Sequence, residues 1–248
     1  MTYLFRPGTG DARLWRAVHE KNEYGLVDVA GKTIVDIGAN IGAFTCLAAE
    51  MGANQVICIE PFSSNCEVLR HNTSLFDNIV VLERAIYSED GQRLPMCTDE
   101  EYREFELSRE SGRDYIEMGG VHVGSAEGAS GGGFAESITL TSIVDDYAPT
   151  IDLLKIDCEG GEWEMFASTE VGVFARVREI VGEYHLGPEN ASRMLGPTVS
   201  PLEWLSDHFT KIGFKHSFRE NSNNPNVGLF HAWRKELAAH SVPTTWLE

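Results

Sequence analysis

Basic residues are scarce in this chain: 20 Lys and Arg stand against 38 Asp and Glu, a formal net charge of -18 and a pI of about 4.8. A phosphate backbone would be repelled from most directions, so RNA and DNA are not expected as substrates. Long apolar runs are missing as well. No segment reaches the roughly 18 residues of a membrane span, and no apolar stretch follows a basic N-terminal region as a secretion signal would. The expectation is a soluble, cytoplasmic protein with no membrane partner. The cysteines, Cys46, Cys58, Cys66, Cys97 and Cys158, are odd in number and include no C-x-x-C pair. That pattern argues against a disulfide framework or a zinc site and fits reduced thiols. A linker is also absent. With 248 residues and 42% hydrophobic content, the chain can bury one substantial core, and 1–248 reads as a single domain.

What is present is most concentrated in Val35–Gly52, VDIGANIGAFTCLAAEMG. A short β-branched run stops at a glycine and apolar residues at helical spacing follow, so the stretch reads strand, tight turn, helix. Gly38 and Gly42 allow turn dihedrals and a close approach of backbone to a ligand. A second strand, Gln55–Ile59, ends at Glu60, 22 positions after Gly38. In a βαβ unit that carboxylate lies beside the first turn and can accept the ribose hydroxyls of an adenosine. The dinucleotide fingerprint G-x-G-x-x-G lacks its middle glycine here, which is Asn40, and an acid, Asp36, precedes the turn. Both features fit a pyrophosphate poorly. A negative charge from Asp36 suits the cationic S-adenosylmethionine instead.

The segment before the first strand predicts a helix capped by Asp11, with Leu14, Trp15, Val18 and His19 on one face, so 1–30 reads as a helical cover and Tyr24 as a candidate roof for the cofactor. Pro61 is suited to open a helix running to Leu75. Ile79–Leu82 is a third strand. LTSIVDDY predicts a helix and IDLLKI a buried parallel strand, interrupted by Asp152 and Lys155 and followed by Asp157 and Glu159. The acids Glu162 and Glu164 open the next helix, where the dipole alone would favour them. Glu179–Tyr184 is a further strand that leads into His185, with Glu183 and His185 on one face. The last elements read helix, strand, turn, strand, a closing hairpin. Residues 97–136 are charged and then glycine-rich. GASGGGF lacks the lysine of a phosphate loop, and the position of the segment predicts a lid or acceptor-binding insertion.

DIGANIG, IEP, ERAIYS, LLKIDCEGGEWEMF and IVGEYH, in that order, resemble the successive motifs of the FkbM family of S-adenosylmethionine-dependent methyltransferases, over roughly Asp11 to His185. The resemblance implies a Rossmann-like class I α/β fold with a mostly parallel seven-stranded sheet and a C-terminal antiparallel hairpin. It implies cofactor contacts from Ala39, Phe44, Pro61, Ala85, Ile86 and Asp157 beside those read from the spacing, Asp36, Gly38, Asn40, Gly42 and Glu60. The implied acceptor is a small-molecule hydroxyl, of a natural product or a sugar.

If the strands before Asp157 and His185 are neighbours, Asp157, Glu159, Glu183 and His185 converge at one sheet edge. Two chemistries follow. His185, with an ordinary pKa near neutrality, could take the acceptor's proton while Asp157 orients it. Alternatively the four side chains could ligate Mg, Ca or Mn and polarise the acceptor oxygen. N-methylation or carboxyl methylation, a nicotinamide-dependent oxidoreductase, a non-catalytic cofactor-binding protein and a homo-oligomer all remain open at this stage.

Overall fold

The structure, a computed structural model, describes residues 2–96, 133–186, 195, 198–222 and 224–234. The elements in chain order are α1 (Asp11–Trp15) running into a π-helical turn (Arg16–Glu20), β1 (Thr33–Ile37), α2 (Ala43–Glu50), β2 (Gln55–Ile59), α3 (Ser63–Thr73), β3 (Ile79–Leu82), β4 (Ala85–Ile86) and β5 (Arg93–Pro95). After residue 132 come β6 (Phe134–Ile138), α4 (Leu140–Asp146), β7 (Leu153–Ile156), α5 (Gly161–Ser168), α6 (Val171–Phe174), β8 (Glu179–His185), α7 (Pro201–Lys211), β9 (Phe214–Glu220) and β10 (Val227–Arg234).

Seven strands form one sheet in the order β3-β2-β1-β7-β8-β10-β9. The first five are parallel to their neighbours, and β10 runs antiparallel to both β8 and β9. This is the class I methyltransferase architecture with its closing hairpin. The central strands are buried on both faces, which is why they read as near-continuous apolar runs. Their alternation divides the core in two. Ile37, Ile57, Leu154 and Ile156 face Trp163, Phe166 and Phe209. Ile34, Val56, Leu153 and Val181 face Phe44 of α2 and Trp15, Val18 and Tyr24 of the N-terminal segment. Trp15, Val18, Tyr24, Leu26 and Val29 of the N-terminal segment thus pack on this face of the sheet.

Several local expectations are corrected. The cap of α1 is Gly10, and Asp11 instead pairs with Arg6 at 2.9 Å. The helix after Pro61 starts at Ser63 with Phe62 as its N-cap. Residues 134–138, placed partly in the insertion by sequence, form β6 at the centre of a small sheet, β4-β6-β5. The remainder of the expected 97–136 insertion, up to residue 132, lies outside the described residues. Thr139 caps α4 by accepting from the Ser142 amide at 3.1 Å. Among the described residues no helix is long and apolar enough to cross a membrane.

Candidate active site

The turn after β1 is built on left-handed backbone at Gly38 (φ 76°), Asn40 (φ 49°) and Gly42 (φ 90°), a conformation that glycine adopts freely and asparagine tolerates. The sequence assigns the two glycines to ligand approach, whereas the structure shows protein against both. A Cβ on Gly38 would stand 1.6 Å from the Asp157 carbonyl oxygen, and one on Gly42 would stand 2.7 Å from Leu69 of α3. The turn is therefore pressed directly against the carboxyl end of β7.

Glu60 holds the same turn from the other side. One carboxylate oxygen accepts from the Asn40 amide at 2.8 Å, and the other accepts from the Phe62 amide at 3.1 Å and Asn65 Nδ2 at 3.0 Å. Burial raises its pKa, and the Asn65, Phe62 and Asn40 hydrogen bonds work against that. Of the roughly four lone-pair positions on a carboxylate, three are occupied, which leaves one on the oxygen that faces Asn40.

Asp36 does not open into the pocket. Its carboxylate is fully buried, accepts from Thr45 Oγ1 at 2.6 Å and lies 3.1 Å from Lys155 Nζ. The lysine also donates to the Gly38 carbonyl at 2.8 Å. Burial disfavours its charge, but the Asp36 and Asp157 carboxylates together outweigh that and raise its pKa, so Lys155 is a buried ammonium. Phe44, another expected cofactor contact, has its ring in the core against Tyr24, with centroids 5.7 Å apart. Ala39, Ala85 and Ile86 are buried too, the last two paired with β6. Pro61 lines a cavity of about 540 Å³ outside the edge strand β3, together with Arg70, Leu82, Arg84 and Tyr147.

The carboxyl ends of β7 and β8 bring together what the sequence predicted. The last ladder pair is Ile156 with Gly182, and beyond it Asp157 and Glu183, one step on, and His185, three steps on, each offer a ligand atom, all within 4.8 Å of one another. Glu159, in left-handed backbone at φ 51°, places Oε2 3.3 Å from His185 Nε2. The sequence places Glu162 in the first turn of a helix, where the dipole alone would favour it. It is fully buried and accepts from the Gly160 amide at 2.8 Å and the His185 amide at 2.9 Å, with His185 Nδ1 at 3.0 Å. It thereby fixes the ring and leaves Nε2 toward Glu159 and Glu183. Tyr24 reaches in from the cover and donates to Asp157 Oδ2 at 2.7 Å.

These contacts weigh against His185 as a free base. Burial opposes a charge on its imidazole, but Glu162 and Glu159 prevail and hold its pKa well above the ordinary value, so at neutral pH it already carries the proton it was expected to take. Burial and the neighbouring Asp157 push Glu183 up to about 9. Burial and Glu162 hold the pKa of the Cys158 thiol well above its ordinary value.

The Methyltransferase FkbM domain matches residues 36–240. The chain belongs to the FkbM methyltransferase family. Its members are S-adenosylmethionine-dependent methyltransferases, and the chain is such an enzyme, which sets aside the nicotinamide-dependent and non-catalytic readings. No curated protein matches its sequence. Similar solved structures include the precorrin-6y C5,15-methyltransferase of Geobacter metallireducens, at 13% identity over 94% of each chain with a TM-score of 0.48. The ribosomal protein L11 methylase of Lactobacillus delbrueckii subsp. bulgaricus is 10% identical over 93% of this chain and 90% of its own, with a TM-score of 0.45.

Proposed function

We propose that this FkbM methyltransferase transfers the methyl group of S-adenosylmethionine to a hydroxyl of a small molecule, with the acceptor seated against Asp157, Glu183 and His185. The observation that carries this reading is the contact between Gly38 and Asp157: the turn suited to the cofactor and the strand end bearing the polar cluster share one wall. A sulfonium methyl held at that turn would lie next to the cluster, and holding donor and acceptor in line supplies much of a methyl transfer's rate.

Asn40 and Glu60 would hold the ribose side of the cofactor, and Asp36 would act indirectly, through Lys155 and the Gly38 carbonyl. Asp157, Glu183 and His185 would hold a divalent cation, Mg, Ca or Mn. Two carboxylates and an imidazole whose other nitrogen faces a buried carboxylate make a fitting donor set once the cation displaces the protons held on His185 Nε2 and Glu183. Such an ion supplies Lewis acidity that lowers the pKa of an acceptor hydroxyl. The protein's own part is to orient the hydroxyl, exclude water and receive the proton at a carboxylate, for which Asp157 is placed.

The test is to supply S-adenosylmethionine labelled in its methyl group with a panel of hydroxylated natural products and sugars, and to locate the label by NMR. Label on a hydroxyl oxygen supports the reading. Label on nitrogen, on a carboxylate or on nucleic acid would replace it.

A further inference from the structure

We propose that Tyr24, which precedes the matched family domain, is a positioning residue that fixes the Asp157 carboxylate at the strand ends. The proposal rests on the reading of Asp157 as an acceptor-side group. Tyr24 is 3% exposed and its hydroxyl donates to Asp157 Oδ2 at 2.7 Å. Among the described residues no second donor reaches that side chain. The backbone of Asp157 is held independently, by its amide donating to the Ile37 carbonyl at 3.0 Å. What remains free is rotation of the carboxylate, and the Tyr24 hydroxyl is the group that stops it.

The segment carrying Tyr24 is built to hold that position. Asn22, at φ 52°, accepts from the Leu26 amide at 2.6 Å and donates to the Leu26 carbonyl at 2.8 Å, which braces the turn from both ends. Phe44 meets the tyrosine ring edge-on at 87°, and Lys155 Nζ lies 5.6 Å from the ring centroid. Burial first, and then the neighbouring Asp157 and Glu183 carboxylates, hold the Tyr24 pKa well above its ordinary value, so the hydroxyl remains a donor. Its role is therefore to orient Asp157, leaving the second carboxylate oxygen for the acceptor or a cation, and not to accept a proton.

The experiment compares the full chain with Tyr24→Phe, which keeps the ring and its contacts. Two measurements are made: a crystal structure of each protein, and Mn²⁺ titration by electron paramagnetic resonance with S-adenosylhomocysteine present. In the variant the Asp157 carboxylate is expected to leave its wild-type rotamer, and Mn²⁺ affinity to fall by about 10- to 100-fold, the usual cost of losing an outer hydrogen-bond partner of a ligand. S-adenosylhomocysteine affinity and melting temperature are expected to stay unchanged. An unmoved Asp157 overturns the proposal, as does a loss of Mn²⁺ affinity matched by an equal loss of stability. If the wild-type protein binds no Mn²⁺, the cation reading fails, and the rotamer of Asp157 alone decides the role of Tyr24.

Discussion

Asp36 and Lys155 are register partners across β1 and β7, and their charges meet 3.1 Å apart with both side chains buried. Each charge makes the other tolerable, and together they brace the Gly38 carbonyl from below. Lys155→Met leaves a buried carboxylate without its cation and should destabilise the fold by about 3 to 5 kcal/mol. The double variant Asp36→Leu, Lys155→Met should recover part of that loss. Urea denaturation of the three proteins checks this, and a Lys155→Met protein as stable as the parent would refute the pairing.

Gly38 is expected to tolerate nothing larger. Gly38→Ala places a Cβ against the Asp157 carbonyl oxygen in left-handed backbone and should cost on the order of 3 kcal/mol or more, with cofactor binding lost as well. Thermal melting and calorimetry with S-adenosylhomocysteine read the two effects. Normal binding in this variant would mean that the turn can separate from β7.

Glu60→Ala removes the acceptor for the Asn40 and Phe62 amides together with the open lone pair. S-adenosylhomocysteine affinity should fall about tenfold or more, the scale of one hydrogen bond to a charged group. Equal affinities in calorimetry would remove Glu60 from the ribose role.

His208 provides a pH test away from the site. Its ring lies among Trp204, Phe166 and Phe174, and burial, with Lys211 adding to it, lowers its pKa from 6.5 to about 4. Between those values the unfolded chain binds a proton that the folded chain refuses, so stability falls as pH drops from 6.5 toward 4, by up to about 1.4 kcal/mol per pH unit from this group. His208→Leu should flatten that part of the stability profile. Parallel profiles for the two proteins would contradict the assignment.

The parts of the fold that were legible in the sequence are those set by local pattern. Val35–Gly52 announces its strand, turn and helix, and IDLLKI its buried strand, because apolar periodicity and glycine position act over a few residues. Asp157, Glu183 and His185 were also legible, because strand ends and alternation locate them. What escaped depends on partners far along the chain. Lys155 could be flagged as a charge in an apolar strand, yet its pairing with Asp36 needed the β1–β7 register. Tyr24 meets Asp157 across 133 positions and Glu162 meets His185 across 23. The proton carried by His185 follows from those carboxylates, so its ordinary pKa misled.

The central claim is that the turn at Gly38 and the cluster at Asp157 form one site for methyl transfer. A crystal structure of the protein with S-adenosylhomocysteine and Mn²⁺, with anomalous data collected at the manganese edge, tests it most directly. The account predicts the ribose at Glu60, the homocysteine sulfur facing Asp157, and an anomalous peak bonded to Asp157, Glu183 and His185 Nε2. A cofactor lying elsewhere on the sheet edge, with its sulfur turned away from Asp157, would contradict it.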